Sequence, residues 1–213
     1  MMTTTIPRKT NWTLEDLALH FGPVEFQRPL SKEEFVWLAD RHPDLRMERE
    51  PNGTTTLMSP LKRGTSKREN RLSFLLSLWN YQAGHGEVHG PNGTYDLPNG
   101  ATKMPDVSWI SPQRLENEPD DEESYIQIVP DFVAEIRSAS DRLPKLKEKM
   151  LDAWLANGVR LAWLIDPYEE TAYIYRAGQM EPELVHGFAG KILSGEDVLP
   201  GFELPLDTMK RKA

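Results

Sequence analysis

Three acidic residues lie at positions where a strand or hairpin gains little from a charge. Glu48 stands in the hairpin sequence LRMERE, Asp106 precedes the apolar run VSWI, and Glu135 interrupts FVAEIR. A carboxylate buried among Val, Ala and Ile costs several kcal/mol to desolvate unless it is paired or binds a cation. Converging carboxylates also repel one another, and Mg²⁺, which takes oxygen ligands, is the simplest way to keep them ionised.

A lysine completes the set of groups that metal-dependent phosphate hydrolysis needs. Lys149 lies beside the apolar stripe of a helix predicted over 141–157. In such a site the carboxylates bind the metal, the metal polarises the phosphate, and an ammonium group orients the attacking water or stabilises charge. Arg137 could also stabilise charge, but it cannot act as a base because a guanidinium stays protonated.

A basic segment, LKRGTSKREN (61–70), precedes the apolar part of a predicted helix over 64–83. Backbone N–H groups and the helix dipole favour anions at such a helix start. We therefore expect phosphate contacts here, with an ordinary solvated first turn as the alternative. The expected contact residues are Lys62, Arg63, Lys67 and Arg68.

The remaining patterns predict a mixed α/β arrangement that positions these side chains. A capping-box pattern at Ser31 and Glu34 begins a short helix, and 45–58 form a hairpin around PNG. The apolar runs VSWI, FVAEI and VRLAWLID indicate buried strands, and TAYIYR is expected to pair with the last of them. Asn157-Gly158 is a typical helix end. Four tryptophans are interpreted as core residues: Trp79, Trp109, Trp154 and Trp163.

Composition excludes several classes of protein. The 213 residues include no cysteine, which excludes a disulfide scaffold, a thiolate metal site and a Cys nucleophile. The net charge is −8, but six of the acidic residues lie in ENEPDDEE (116–123), an expected loop, so a local basic face is possible. No apolar stretch suits a membrane helix, and the N-terminus lacks a secretory pattern. A cytoplasmic protein without a membrane partner is therefore expected.

The same residues carry a family resemblance. Met104-Pro105-Asp106 followed by Glu135-Ile136-Arg137 resembles the PD-(D/E)XK nuclease signature. The surrounding sequence, including RMEREPNGTTTLMSP, LPNGATKMPDVSWI, PDFVAEIRSASDRLPKLKEKM and LANGVRLAWLIDP, is similar to the Uma-type restriction endonucleases, which are common in cyanobacteria. The resemblance covers about residues 30–205.

This resemblance implies a restriction-endonuclease-like α/β fold, with a mixed central sheet flanked by helices, and a Mg²⁺-dependent DNA endonuclease in which Mn²⁺ could substitute. By position, the metal-binding carboxylates are Glu48, Asp106 and Glu135. For Glu48 the alternative is a solvated hairpin face, and for Glu135 it is a structural salt bridge with Arg137 or Lys149.

The resemblance also implies where the catalytic lysine lies. Arg137 stands where the signature has its lysine, and Lys149 matches a helix-borne lysine in this branch. The spacing from Lys149 to Trp154 is one residue longer than in relatives, so Lys147 and Lys145 are alternatives for that role.

The expected organisation is a nuclease domain over 30–206, with an N-terminal extension (1–29) and a C-terminal tail (207–213). Because cleavage of both DNA strands needs two sites, a homodimer is expected. Two rival functions remain open. One is a DNA-binding or structural module that retains the fold without turnover, which the arginine at 137 favours. The other is a glycosidase that uses the carboxylates as acid and base, which leaves Lys149 without a role.

Overall fold

The computed structural model describes residues 13–84, 86–116 and 123–211. The chain divides into two compact units, Met1–Pro60 and Leu61–Ala213. Most of the acidic segment 116–123, the first twelve residues and the last two lie outside the described ranges. The domain boundaries expected at 29/30 and 206/207 stay predictions.

The first unit contains two helices and a three-stranded antiparallel ladder in which β3 is central. Its elements are α1 (Leu14–Phe21), β1 (Val24–Glu25), α2 (Lys32–Arg41), β2 (Met47–Arg49) and β3 (Thr55–Leu57). The Ser31 hydroxyl accepts from the Glu34 backbone at 3.1 Å, and the Glu34 carboxylate accepts from the Ser31 backbone at 2.9 Å. This reciprocal cap confirms the predicted start of α2, and the β2–β3 pair confirms the hairpin.

The second unit holds the remaining elements. The helices are α3 (Arg63–Ala83), α4 (Pro112–Leu115) and α5 (Leu143–Glu148). The strands are β4 (Glu87–His89), β5 (Tyr95–Asp96), β6 (Thr102–Lys103), β7 (Val107–Ile110), β8 (Phe132–Ile136), β9 (Leu161–Asp166), β10 (Thr171–Arg176), β11 (Glu183–His186), β12 (Ile192–Ser194) and β13 (Glu203–Pro205). No helix in the described ranges is both long and apolar enough to cross a membrane.

The helix predicted over 141–157 is not one regular α-helix. After α5 the backbone forms a π-helical segment, Lys149–Trp154, which we call the π-turn, and then a 3₁₀ turn, Leu155–Asn157. Gly158 ends the run with a φ of 101°, a left-handed conformation that glycine adopts without steric cost. The predicted stop at Asn157-Gly158 is therefore confirmed.

Six strands form the main sheet in the order β11-β10-β9-β8-β7-β4. The central strands β8 and β9 run parallel, and the other four pairs are antiparallel. A segment containing α5 and the π-turn connects the parallel pair, as a parallel connection requires. The sheet is thus mixed, as the sequence predicted.

Successive side chains of each strand point to opposite faces of the sheet, and each face has its own hydrophobic core. On one face, which we call the α3 face, strand residues such as Ala134 and Trp163 pack with Leu72 and Leu76 of α3 and with the C-terminal segment. On the other, the α5 face, Val133, Ala162 and Leu164 pack with Met150, Ala153 and Trp154. Each central strand is therefore buried on both sides, which explains its nearly continuous apolar sequence.

Arg68, expected as a phosphate contact, attaches the C-terminal segment to α3. It is 8% exposed, its Nε donates to the Met209 carbonyl at 2.7 Å, and its Nη2 donates to the Lys210 carbonyl at 3.4 Å. Burial lowers the pKa of its guanidinium. Arg68 therefore has a structural role and is not among the exposed cations at the start of α3.

Replacement of this guanidinium should destabilise the fold. Arg68→Gln should lower the free energy of unfolding by about 1.5–3 kcal/mol, the usual contribution of hydrogen bonds from a charged group. The exposed neighbour variant Lys67→Gln should change it by less than about 0.5 kcal/mol. Urea unfolding followed by tryptophan fluorescence measures both, and equal stability of the two variants would contradict the structural role of Arg68.

Candidate active site

Pairing of β7 with β8 places two of the predicted carboxylates side by side. The register joins Val107 to Ala134, so Asp106, immediately before Val107, lies level with Glu135. Asp106 Oδ2 accepts a hydrogen bond from the Ile136 backbone N–H at 2.6 Å. This bond fixes the Asp106 carboxylate against the end of β8.

Glu135 lies on the α5 face of the sheet and is 4% exposed. The Lys149 ammonium is 2.8 Å from Glu135 Oε1, and the Trp154 indole N–H donates to the same oxygen at 3.0 Å. Lys149 Nζ also donates to the Met104 carbonyl at 3.0 Å. One cation therefore joins the buried carboxylate to the segment that leads into Asp106.

The π-turn explains how Lys149 and Trp154 reach one oxygen although five positions separate them. In an α-helix of 3.6 residues per turn, residues five apart point about 140° away from each other around the axis. The i→i+5 hydrogen bonding of a π-helix brings such residues close to one line along its surface. The five-position spacing of Lys149 and Trp154 is thus accommodated by the π-helical backbone of Lys149–Trp154.

The two alternative lysines make other contacts. Lys145 Nζ forms an exposed ion pair with Glu148 at 2.8 Å, and Lys147 Nζ lies 4.3 Å from the centre of the Tyr173 ring. Of these three lysines, Lys149 is the one that pairs with Glu135. The geometry therefore favours Lys149 for the lysine role.

Glu48 belongs to the first unit, where it lies opposite Thr56 in the β2–β3 hairpin. It is 7% exposed, so it is not part of a solvated hairpin face. Its participation in a site with Asp106 and Glu135 stays a prediction from the family resemblance.

Arg137 does not take the place of the signature lysine at Glu135. Its Nη1 pairs with Asp166 Oδ2 at 2.7 Å, at the carboxyl ends of β8 and β9. Asp166 Oδ1 in turn accepts from the backbone of Tyr168 at 2.9 Å, which fixes the turn into β10. No local pattern indicates this pair, because its members are 29 positions apart in the chain.

The start of α3 retains three exposed cations, Lys62, Arg63 and Lys67. No acidic residue lies in its first turn, and Lys62 at the N-cap makes no side-chain capping bond. The positive end of the helix dipole and these side chains therefore produce an electropositive surface suited to anions.

The donor chemistry around Asp106 and Glu135 suits Mg²⁺. Within the described ranges, no group of three or more His, Asp and Glu side chains is arranged to hold a metal ion. Mg²⁺, however, usually binds through one or two protein carboxylates, with water and substrate phosphate as its other ligands. Two adjacent carboxylates fit that pattern, and the magnesium site remains a proposal.

Trp154 is the functional candidate that sequence reasoning missed. Its aromatic character indicated a core residue, and it is indeed fully buried, but its indole N–H also holds Glu135. No local pattern in the sequence distinguishes this second role from simple burial.

Removal of the cation from this pair should be costly. Lys149→Met leaves the buried Glu135 carboxylate without its cation, so the free energy of unfolding should fall by about 3 kcal/mol. Most of that loss should be recovered in Lys149→Met/Glu135→Gln, while Lys145→Met, at an exposed pair, should change little. Denaturant unfolding in EDTA measures all three. A double variant no more stable than Lys149→Met would refute the proposed electrostatic cause.

Comparison with known proteins identifies the family and the fold of this chain. The Uma2 family, described as "Putative restriction endonuclease", matches residues 32–207. Five chains of solved structures also match. One is the crystal structure of a "putative nuclease belonging to DUF820" from Anabaena variabilis ATCC 29413, with a TM-score of 0.71 and 20% identity over 85% of this chain and 97% of its own. No curated protein matches the chain.

The structural match confirms the restriction-endonuclease-like α/β fold that the resemblance implied. The family match spans most of the chain and supports a nuclease. On that evidence, the chain belongs to the Uma2 family.

Proposed function

We propose that this protein is a Mg²⁺-dependent endonuclease that hydrolyses phosphodiester bonds in DNA at a site containing Asp106, Glu135 and Lys149. The observation that carries the proposal is the buried Glu135 carboxylate, paired with Lys149 and level with Asp106. Membership of the Uma2 family supports the same reaction class.

Asp106 and Glu135 would hold the metal, and Glu48 is added to them by the family resemblance alone. When bound, a divalent cation polarises the scissile phosphate and lowers the pKa of a coordinated water. The backbone N–H of Ile136 fixes Asp106, and the indole of Trp154 fixes Glu135, so both carboxylates are oriented before substrate arrives. Such fixed orientation avoids reorganisation during the reaction.

Lys149 supplies a positive charge beside these carboxylates. Its ammonium is held by Glu135 at 2.8 Å and by the Met104 carbonyl at 3.0 Å, and its side chain is 11% exposed. In such a poorly hydrated site, an ammonium stabilises the negative charge that develops on the phosphate more strongly than it would in water. Lys149 is therefore the proposed transition-state stabiliser.

DNA is the proposed substrate, and the exposed start of α3 is a proposed contact surface. Lys62, Arg63 and Lys67 would neutralise phosphates flanking the cleaved bond. Cleavage of both strands by one assembly requires two such sites, so we also propose a homodimer.

The alternative is a DNA-binding or structural module that keeps the fold without turnover. Two observations favour it: Arg137 replaces the signature lysine, and Lys149 already balances the charge of Glu135 without a metal. The two experiments below distinguish it from the nuclease.

Metal binding should depend on the two strand carboxylates. Mn²⁺ titration should release or absorb measurable heat and raise the melting temperature, because a ligand that binds only the folded state stabilises it by about 2.7 kcal/mol at one hundred times its dissociation constant. Asp106→Asn and Glu135→Gln should each abolish both effects. Glu148→Gln, which alters an exposed carboxylate in α5, is the matched control and should bind Mn²⁺ like the wild type.

Two further variants complete that experiment. Loss of Mn²⁺ binding in Glu48→Gln would support the third ligand that the resemblance implies. If Asp106→Asn/Glu135→Gln binds Mn²⁺ as the wild type does, the metal site lies elsewhere and the proposed centre is wrong.

Catalysis should depend on Lys149 and not on its neighbour. Lys149→Met should lower Mg²⁺-dependent nicking of supercoiled plasmid about 10²-fold or more per folded molecule, as loss of one preorganised charge stabiliser typically does. Lys147→Ala, which removes only a contact with Tyr173, should change the rate little. A wild-type protein that binds metal and DNA but nicks no plasmid with any divalent ion would establish the inactive module instead.

A further inference from the structure

Cationic side chains gather around a single tyrosine at the carboxyl ends of β8 and β9. The guanidinium carbon of Arg137 lies 5.4 Å from the centre of the Tyr168 ring, and that of Arg211 lies 4.5 Å from it. Both distances are within the range of a cation–π interaction. Tyr168 itself is half-buried, in the turn between β9 and β10.

Two of the three arginines at this cluster are not paired with a carboxylate among the described residues. Arg137 pairs with Asp166, whereas in the described part of the chain neither Arg68 nor Arg211 forms an ion pair with a carboxylate. Arg68 uses its donors on main-chain carbonyls. Burial lowers the pKa of Arg68, and the positive charge of Arg211 contributes to that shift, so these two cations lie within electrostatic range.

Arg137 also retains a hydrogen-bond donor without a partner. Its Nη1 is used by Asp166, but its buried Nε makes no hydrogen bond among the described residues. A buried donor of this kind costs free energy unless it finds an acceptor, and such groups are uncommon in folded proteins. The unpaired Nε shows that the hydrogen bonding of Arg137 is incomplete in the folded chain.

The cluster lies next to the proposed catalytic centre. Arg137 is two residues beyond Glu135, and its backbone N–H continues the β8–β9 ladder by donating to Ile165 at 2.9 Å. Two strand residues span about 7 Å, so the backbone of Arg137 lies within about 7 Å of that of Glu135. Through Arg68, the cluster also adjoins α3, which begins with the exposed cations proposed to contact DNA.

We propose that Arg137 and Arg211, together with Tyr168, form a binding site for a phosphate of the nucleic-acid backbone beside the one that is cleaved. Guanidinium groups match phosphate oxygens geometrically and keep their charge at every relevant pH. Tyr168 holds the two guanidiniums near each other and covers part of their surface. The proposal rests on the proposed function only in its choice of DNA as the source of the phosphate.

The test is the salt dependence of binding to a short fluorescein-labelled DNA duplex in EDTA, which removes any contribution from metal or turnover. Each lost phosphate contact reduces the slope of log K against log salt by about 0.9. Arg211→Gln should therefore flatten the slope by about one unit. The matched control, Arg160→Gln, removes the same charge at the opposite end of β9, and it should leave the slope unchanged.

Arg137 needs a paired substitution, because its loss alone would leave Asp166 buried without its cation. Arg137→Gln/Asp166→Asn removes both charges and retains an oxygen that accepts from the Tyr168 backbone. This variant should also flatten the slope by about one unit, with a melting curve that shows a cooperative fold.

The outcomes separate this proposal from the nuclease proposal. If the wild type binds the duplex with a steep slope that Arg211→Gln does not change, the phosphate site is wrong while the nuclease proposal stands. If Arg211→Gln instead abolishes calorimetric binding of inorganic phosphate without changing the duplex slope, the site takes a free anion and the backbone assignment is overturned. Failure of metal binding or nicking with the predicted slopes intact would remove only the nuclease proposal.

Discussion

Burial of the Glu135 carboxylate is the constraint on which the rest of the site depends. A carboxylate in the middle of a sheet buried on both faces must find a cation and hydrogen-bond donors, or its desolvation would cost several kcal/mol. Lys149 and Trp154 supply them to one oxygen, and both come from the segment that connects β8 to β9. The π-turn is therefore the local geometry that lets an apolar helix face also balance a buried charge.

Apolar runs interrupted by single charged residues made much of this site predictable from the sequence. The apolar runs around Asp106 and Glu135 identified β7 and β8, and their adjacency followed from two neighbouring strands of one sheet. The family resemblance identifies Lys149 as the helix-borne lysine, and the structure shows its contact with Glu135, while Lys145 pairs with Glu148 and Lys147 lies over the Tyr173 ring. Strands of two or three residues, such as β1 and β6, carry too little periodicity to be predicted.

Other features depend on geometry that residue types do not encode. Residue types do not specify the change from i→i+4 to i→i+5 hydrogen bonding. The sequence therefore indicates only a core role for Trp154. Arg68 was grouped with its basic neighbours, although it lies four residues before Leu72, on the buried stripe of α3. That spacing is visible in the sequence, although the basic neighbours of Arg68 at the helix start favour a phosphate contact. The pairing of Arg137 with Asp166 depends on the parallel register of β8 and β9, which no local pattern specifies.

The Lys149–Glu135 ion pair also makes folding independent of the metal ion that catalysis would need. Because Lys149 already balances the buried carboxylate, the second unit has a stabilising contact at its centre that needs no metal. Under the proposed function, a divalent cation would share Glu135 with the ammonium and not replace it, because Oε1 already accepts from two fixed donors. Repulsion between the two cations would be relieved by a phosphate that contacts both, so substrate and metal should bind cooperatively. The same pair can thus maintain the fold in the resting protein, and metal should bind more tightly when phosphate is present than in its absence.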